Sequence, residues 1–232
     1  NTGEGAYGLD PEKAWNYGVS FLQKFKLFNK KTEFSADYFV TNFENQVVVD
    51  VDSSPREVSF YNLSGKSIAH SFQTDLNYTL VKHLDLRLSY KYYDVFTDYQ
   101  NQRLSKALLP KHRVLANISY QTHYLNNKGS RWKFDVTWNW LGKQRLPSTK
   151  GNPDEYQLAT YANPFSRLNL QITKVFTKQF EVYVGGENVL GYKQDNPVLA
   201  SDDPFGAYFD STIISGPVQG ARIYTGLRFN IK

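Results

Sequence analysis

The chain has 232 residues, 41% of them hydrophobic and 21% charged, and its 27 basic and 22 acidic side chains leave a formal net charge of +5. Cysteine and methionine are absent, which excludes disulfides and thiol-based catalysis or metal binding. No run approaches the roughly 18 consecutive apolar residues of a membrane helix, although aromatics make up 16% of the chain.

The charges are scattered rather than clustered, as on wetted surfaces, with basic loops that meet lipopolysaccharide phosphates or an acidic ligand as the alternative. The N-terminus lacks the basic and apolar regions of a secretory signal, and no Met stands at position 1. The chain is therefore expected to begin inside a longer polypeptide.

Alternation with period two, the mark of a strand whose faces meet different environments, recurs along the sequence. It begins at 15–27 with Trp15, Tyr17, Val19, Phe21 and Phe25, and continues at 32–47 with Phe34, Ala36, Tyr38 and Val40 before slipping near Asn42, as at a β-bulge. In 67–80, Ile68, Phe72, Leu76, Tyr78 and Leu80 share a face on which His70 and Thr74 are lapses. The pattern is clearest at 84–92, where Leu84, Leu86, Leu88, Tyr90 and Tyr92 oppose Asp85, Arg87, Ser89 and Lys91. It returns at 113–124, at 131–140 with Trp132, Phe134, Val136, Trp138 and Trp140, and at 165–174, 180–189 and 222–231, for nine strands in all.

Alternation alone suits a soluble β-sandwich as well as a membrane barrel. Length separates them: these segments run to about 10–16 residues, whereas ordinary strands average about 5–6 and membrane-spanning ones need about 9–11. The connections agree, for 28–31, 81–83, 125–130 and 175–179 are short while 48–66, 95–112, 144–164 and 190–221 are long. Strict alternation of short and long links matches the periplasmic turns and extracellular loops of an outer-membrane barrel. Aromatics on the apolar face gather at strand ends, Trp15, Tyr17, Tyr92, Trp138 and Trp140 outside and Phe34, Tyr78, Tyr120, Tyr124, Trp132, Phe180 and Phe229 inside, as in two interfacial girdles.

The fold class is thus all-β, a transmembrane antiparallel β-barrel. Nine strands starting outside and ending in the periplasm leave two edges that hydrocarbon does not tolerate, so more strands are expected before Asn1.

The histidines, His70, His83, His112 and His123, are dispersed without metal-ligand spacing and read as structural or solvated. The acidic pairs Asp154-Glu155 and Asp202-Asp203 read as loop charges, with no calcium-loop motif. No phosphate-binding glycine loop, nucleophile elbow or catalytic triad is found, so neither an enzyme nor a cofactor is expected. Ligand contacts are expected from the long loops, first from Tyr156, Tyr161, Phe205, Tyr208 and Phe209. Inward-facing Arg87, Lys91, Lys133, Asp135, Asn139, Arg167, Asn169 and Gln171 are expected to line a hydrated lumen.

Several motifs resemble the C-terminal halves of TonB-dependent receptors, particularly those of the Bacteroidota: Leu9-Asp10-Pro11-Glu12 followed by Asn16-Tyr17-Gly18, Pro110-Lys111-His112-Arg113, Gly185-Gly186-Glu187-Asn188-Val189-Leu190, and Gly216-Pro217 with Gly220 and Arg222. The last strand resembles the C-terminal signal read by the barrel-assembly machinery, through Tyr224, Gly226, Phe229 and Ile231, but ends in Ile231-Lys232 rather than an aromatic. The resemblance implies the last nine strands of a barrel of about 22, closed by an upstream plug. It implies a receptor that imports a scarce nutrient such as a siderophore, haem or cobalamin with energy from the TonB complex. Lipid, lipopolysaccharide, the plug and a surface lipoprotein are its expected partners, and nucleic acid is not. The alternatives are a passive porin or channel, a secreted β-sandwich adhesin that binds glycans and, more distantly, an outer-membrane protease or lipase.

Overall fold

The computed structural model describes residues 8–99 and 102–231, and their dominant element is one antiparallel sheet. Nine strands follow one another in it, each hydrogen-bonded to the next: β1 (Lys13–Leu27), β2 (Lys30–Asn45), β5 (Ser67–Val81), β6 (Leu84–Tyr99), β8 (His112–Gln121), β9 (Arg131–Leu141), β12 (Phe165–Val175), β13 (Phe180–Glu187) and β14 (Arg222–Phe229). Five short strands lie in the long connections. β3 (Val47–Asp50) pairs β4 (Ser59–Asn62), β7 (Gln102–Ser105) pairs the end of β6, and β10 (Gln144–Arg145) pairs β11 (Tyr161–Ala162).

The nine expected strands are those of the sheet, with shifted ends. β6 runs on to Tyr99 because β7 folds back along it, and β14 stops at Phe229, which leaves Ile231 beyond the strand. The slip expected near Asn42 falls at Glu44, which the register skips between the Lys13–Asn45 and Ala14–Phe43 pairs. The long connections carry local pairing of their own, where the sequence shows no obvious secondary structure.

The short links are tight. Phe28 and Asn29 close β1 onto β2 with φ of 48° and 63°, the doubly left-handed turn whose twist matches a hairpin. Asn adopts that conformation readily, but a bulky Phe does so at a cost. Lys82-His83 close β5 onto β6, again with a left-handed residue, His83, at φ 69°.

Register places the apolar residues in continuous rows. Tyr38 lies opposite Phe72, Phe72 opposite Tyr92 and Tyr92 opposite His112; farther on, Ile118, Val136 and Leu170 are aligned. Among the described residues no second sheet covers this face, and Val19 (64%), Leu227 (69%) and Ile223 (86%) stay exposed. A sandwich would bury them. Most of the buried apolar residues instead sit towards the long-loop end, with Val48, Val95, Leu146, Phe165 and Ile213 among them, while Val175 is buried at the short-turn end. Within the described sheet β1 pairs only with β2 and β14 only with β13.

Candidate functional site

All eight polar wall residues singled out in the sequence lie on the face opposite the apolar rows. Arg87 is aligned with Asn117, Thr137 and Asn169; Lys133 lies between Gln121 and Thr173, Asp135 between Ser119 and Gln171, and Asn139 between Leu115 and Arg167. Lys91 is opposite Arg113. The face satisfies itself across strands: the Asn117 amide donates to Asp135 and to Thr137 Oγ1 (2.8 Å), Arg87 pairs with Asp75 (3.2 Å), and the Tyr224 hydroxyl donates to Gln171 Oε1 (2.9 Å). Glu181, shielded by its neighbours, accepts from Lys133 (2.9 Å) and Arg228.

At the long-loop end the connections are tied together. Arg145 places both terminal nitrogens on the Asp52 carboxylate, at 2.6 and 2.7 Å, and its Nε donates to the Ser105 carbonyl. Both side chains are only 10–12% exposed, and a bidentate pair held this way is stronger than a surface ion pair. One guanidinium thus joins the 46–66, 102–111 and 142–164 segments. Asp50 organises the first of them: it accepts from the Asp52 and Ser53 amides, the Ser53 hydroxyl and the Tyr61 hydroxyl. Burial opposes ionisation of Asp50, but the hydrogen bonds from Ser53, Asp52 and Tyr61 outweigh it and lower its pKa. Burial and the bond to Asp50 push the Tyr61 phenol up to about 12.

The fourth connection, 188–221, joins through Gln144, which donates to the Ser215 carbonyl (2.6 Å), and is braced internally by Gln194, which spans Ile213, Ser215 and Gly216. Asn188, in the motif that opens it, donates to the carbonyls of Tyr192 and Gln219. Phe165 stacks on Tyr192 with ring centroids 4.7 Å apart.

This connection borders an open cavity of about 660 Å³ on the polar face, lined by Arg167, Asn169, Glu187, Asn188 and Arg222 and by residues 214–220. Arg222 pairs with Glu187 at 2.8 Å. A larger hollow of about 810 Å³ lies at the short-turn end, among Lys24, Glu33, Asn77 and Arg87. We place the candidate site at the 660 Å³ cavity, because the long connection that borders it brings convergent polar groups and is itself anchored.

Of the five loop aromatics, Tyr156 and Tyr208 come together, stacked at 5.3 Å with the Arg56 guanidinium 5.5 Å from the Tyr208 ring. The carboxylates of Asp202 and Glu155 raise the Tyr156 pKa. Tyr161 lines a separate cleft of about 150 Å³ between two loops, Phe205 is wholly exposed and Phe209 partly so. The five therefore do not form one cluster. Sequence reasoning missed Arg145, Asp52, Glu181, Glu187, Asn188 and Gln194, whose partners are distant in sequence; only the motif containing Glu187 and Asn188 gave a signal.

The histidines are less dispersed than expected. His83 and His123, in two different short turns, meet edge to face at 4.6 Å, while His70 and His112 are hydrogen-bonded to Tyr38 and Tyr90. Among the described residues no group of three or more His, Asp or Glu gathers as metal ligands would.

The profile of the family described as TonB dependent receptor-like, beta-barrel, matches residues 1–189. Comparison with curated proteins finds no match. Among solved structures, the sheet superposes on the copper transporter OprC with a TM-score of 0.66 and 12% identity, over 95% of this chain and 32% of the other. It matches FpvA of Pseudomonas aeruginosa, solved with bound heterologous pyoverdines, at 0.64 and 14% over 95% and 27%, and BauA, the ferric preacinetobactin receptor of Acinetobacter baumannii, at 0.58 and 9% over 94% and 29%. At such identities these likenesses show a shared fold. The chain spans about a third or less of each of these structures.

Proposed function

Because the chain belongs to the TonB-dependent receptor-like β-barrel family, we propose that it is the C-terminal part of the barrel of an outer-membrane receptor that actively imports a scarce nutrient. In this reading β1 and β14 pair with further strands of one barrel, since an open edge in hydrocarbon leaves backbone groups without partners. The apolar rows face lipid, and the short turns and the C-terminus are periplasmic. The polar face lines a lumen that holds a plug, and the plug couples to TonB. A source among the Bacteroidota and a surface lipoprotein partner belong to the same proposal, as does an assembly signal made by Tyr224, Gly226, Phe229 and Ile231.

The observation that carries this reading is the mutual bonding of the long connections at one end of the polar wall. A passive pore needs an open mouth, whereas here four long connections are bonded to one another above a polar wall, with Arg145 and Gln144 as ties. Metals and metal chelators named for the structural relatives, copper, pyoverdine and ferric preacinetobactin, set the first panel to try for this protein. Tyr156, Tyr208 and the cavity residues Arg167 and Asn169 are the proposed ligand contacts.

The test is uptake by cells that express the full-length protein, across a panel of labelled ferric chelates, copper, haem and cobalamin. We expect saturable uptake of one class that stops when the proton gradient is collapsed and when residues 190–221 are deleted. Uptake indifferent to the gradient would identify a passive channel, and full affinity after the deletion would remove the loop residues from the site.

A further inference from the structure

Charge is balanced at one end of the sheet and not at the other, for the long connections set nine basic side chains beside their nine carboxylates. The first, third and fourth long connections hold nine carboxylates: Asp50, Asp52 and Glu57, then Asp154 and Glu155, then four aspartates between Asp195 and Asp210. The four short links hold none, yet each contains or adjoins a lysine, Lys30, Lys82, Lys128 and Lys178. The acids nearest that end, Glu33, Asp85 and Glu181, lie on the polar face and are engaged there by Lys24, Thr79 and the Lys133–Arg228 pair. The outward rim of the short turns is therefore basic without compensation among the described residues.

Basic side chains gather where the turns after β8 and β12 meet. Lys174 lies on the apolar face opposite Trp132, with its ammonium 4.7 Å from the indole and 6.0 Å from the Phe176 ring. Phe176 stacks on Phe180 at 5.6 Å, and the Lys178 stem approaches Gly129 of the neighbouring turn. A lysine set among lipid-facing aromatics extends its stem along the apolar surface and its charge towards headgroups. A cation held over a ring also loses less freedom when an anion arrives.

We propose that Lys174 and Lys178, with Lys128 beside them, form a docking site for the headgroup of an anionic phospholipid in the leaflet that the short turns face, its acyl chains lying along Trp132, Phe134 and Ile172. Charge complementarity selects the phosphodiester, and the flanking aromatics select a lipid over a soluble anion. The site rests on the membrane orientation proposed above but is independent of any transported ligand.

The experiment reconstitutes the full-length protein in nanodiscs of phosphatidylcholine containing graded phosphatidylglycerol, and counts retained lipids by native mass spectrometry. Native protein is expected to prefer phosphatidylglycerol, by about fivefold for each lysine near the headgroups. Lys174→Gln with Lys178→Gln should reduce that preference by about twenty-five-fold, and the corresponding Arg pair should restore it. Lys24→Gln with Lys26→Gln, the same charge removed from the polar face, should leave it unchanged. Equal retention of the two lipids by native protein, or a preference lost equally in both glutamine pairs, would overturn the proposal. So would capture of an anionic glycan by the lipid-free protein that the Lys174 and Lys178 changes abolish. A protein that fails to enter nanodiscs at all would instead sink the membrane reading itself.

Discussion

Between Leu84 and Tyr92 one rule repeats every second residue, whereas at the loop end the firmest contact joins Asp52 to Arg145, 93 positions apart. The two regions are held by different means. A strand of the wall is supported along its whole length by ladder bonds to two neighbours, so its stability is spread over many weak contributions. The loop end depends on a few side chains, each of which serves several backbone segments. Single substitutions should therefore be absorbed in the wall, except where the backbone itself is crowded, and should propagate in the loops.

The sharpest way to break this contrast is Arg145→Ala. It leaves the Asp52 carboxylate poorly solvated and without its partner, a loss of about 3–5 kcal/mol for a buried pair. Hydrogen exchange should accelerate together in residues 46–66, 102–111 and 142–164, while β8, β9 and β12 keep their protection. If only one connection loosens, the ties between them do not act as described.

The wall has an exception worth testing next. A Cβ at Gly185 would run into the Tyr224 ring, and one at Gly226 into Tyr183. Gly185→Ala should displace Tyr224, break its bond to Gln171 and cost about 1–3 kcal/mol, as overpacking does. The temperature at which the folded barrel loses its compact electrophoretic mobility would record it, with Val184→Ala, on the exposed side of the same strand, as the comparison.

Smaller still is Tyr208→Ala, which removes a stacked pair worth about 0.5–1.5 kcal/mol. It should weaken ligand binding modestly without moving the melting temperature of the wall. Acid gives the smallest effect. The Asp50 pKa is lowered in the fold, so its contribution is complete above the ordinary carboxylate value of about 4 and is lost as pH falls through the lower folded value. Exchange in the β3–β4 hairpin should rise in that range before exchange in β5 does.

The same division explains what the sequence discloses. The rows of Leu86, Ile118, Val136 and Leu170 were legible because period-two burial is written locally, and the hairpins because short and long links alternate. The ends were less so: the fold-back of β7 that extends β6 depends on a partner that no local pattern names, and the bulge signalled near Asn42 falls two residues farther on. Along the polar wall the residues from Arg87 to Gln171 could be assigned to one face, two of them, Arg167 and Asn169, at the candidate site, whereas in the loops the Tyr156–Tyr208 stack could only be guessed from exposed aromatics. Arg145, Gln194 and the His83–His123 contact were not legible, since each joins segments that only the folded chain brings together.

The reciprocal packing of two rings over two glycines on β13 and β14 has a consequence for assembly. Sliding β14 by one residue would carry Tyr224 to the opposite side and leave both hollows unfilled, and sliding it by two would set each ring against a residue that bears a side chain. Only one alignment closes cleanly, so the final hairpin carries its own check against mispairing as it zips.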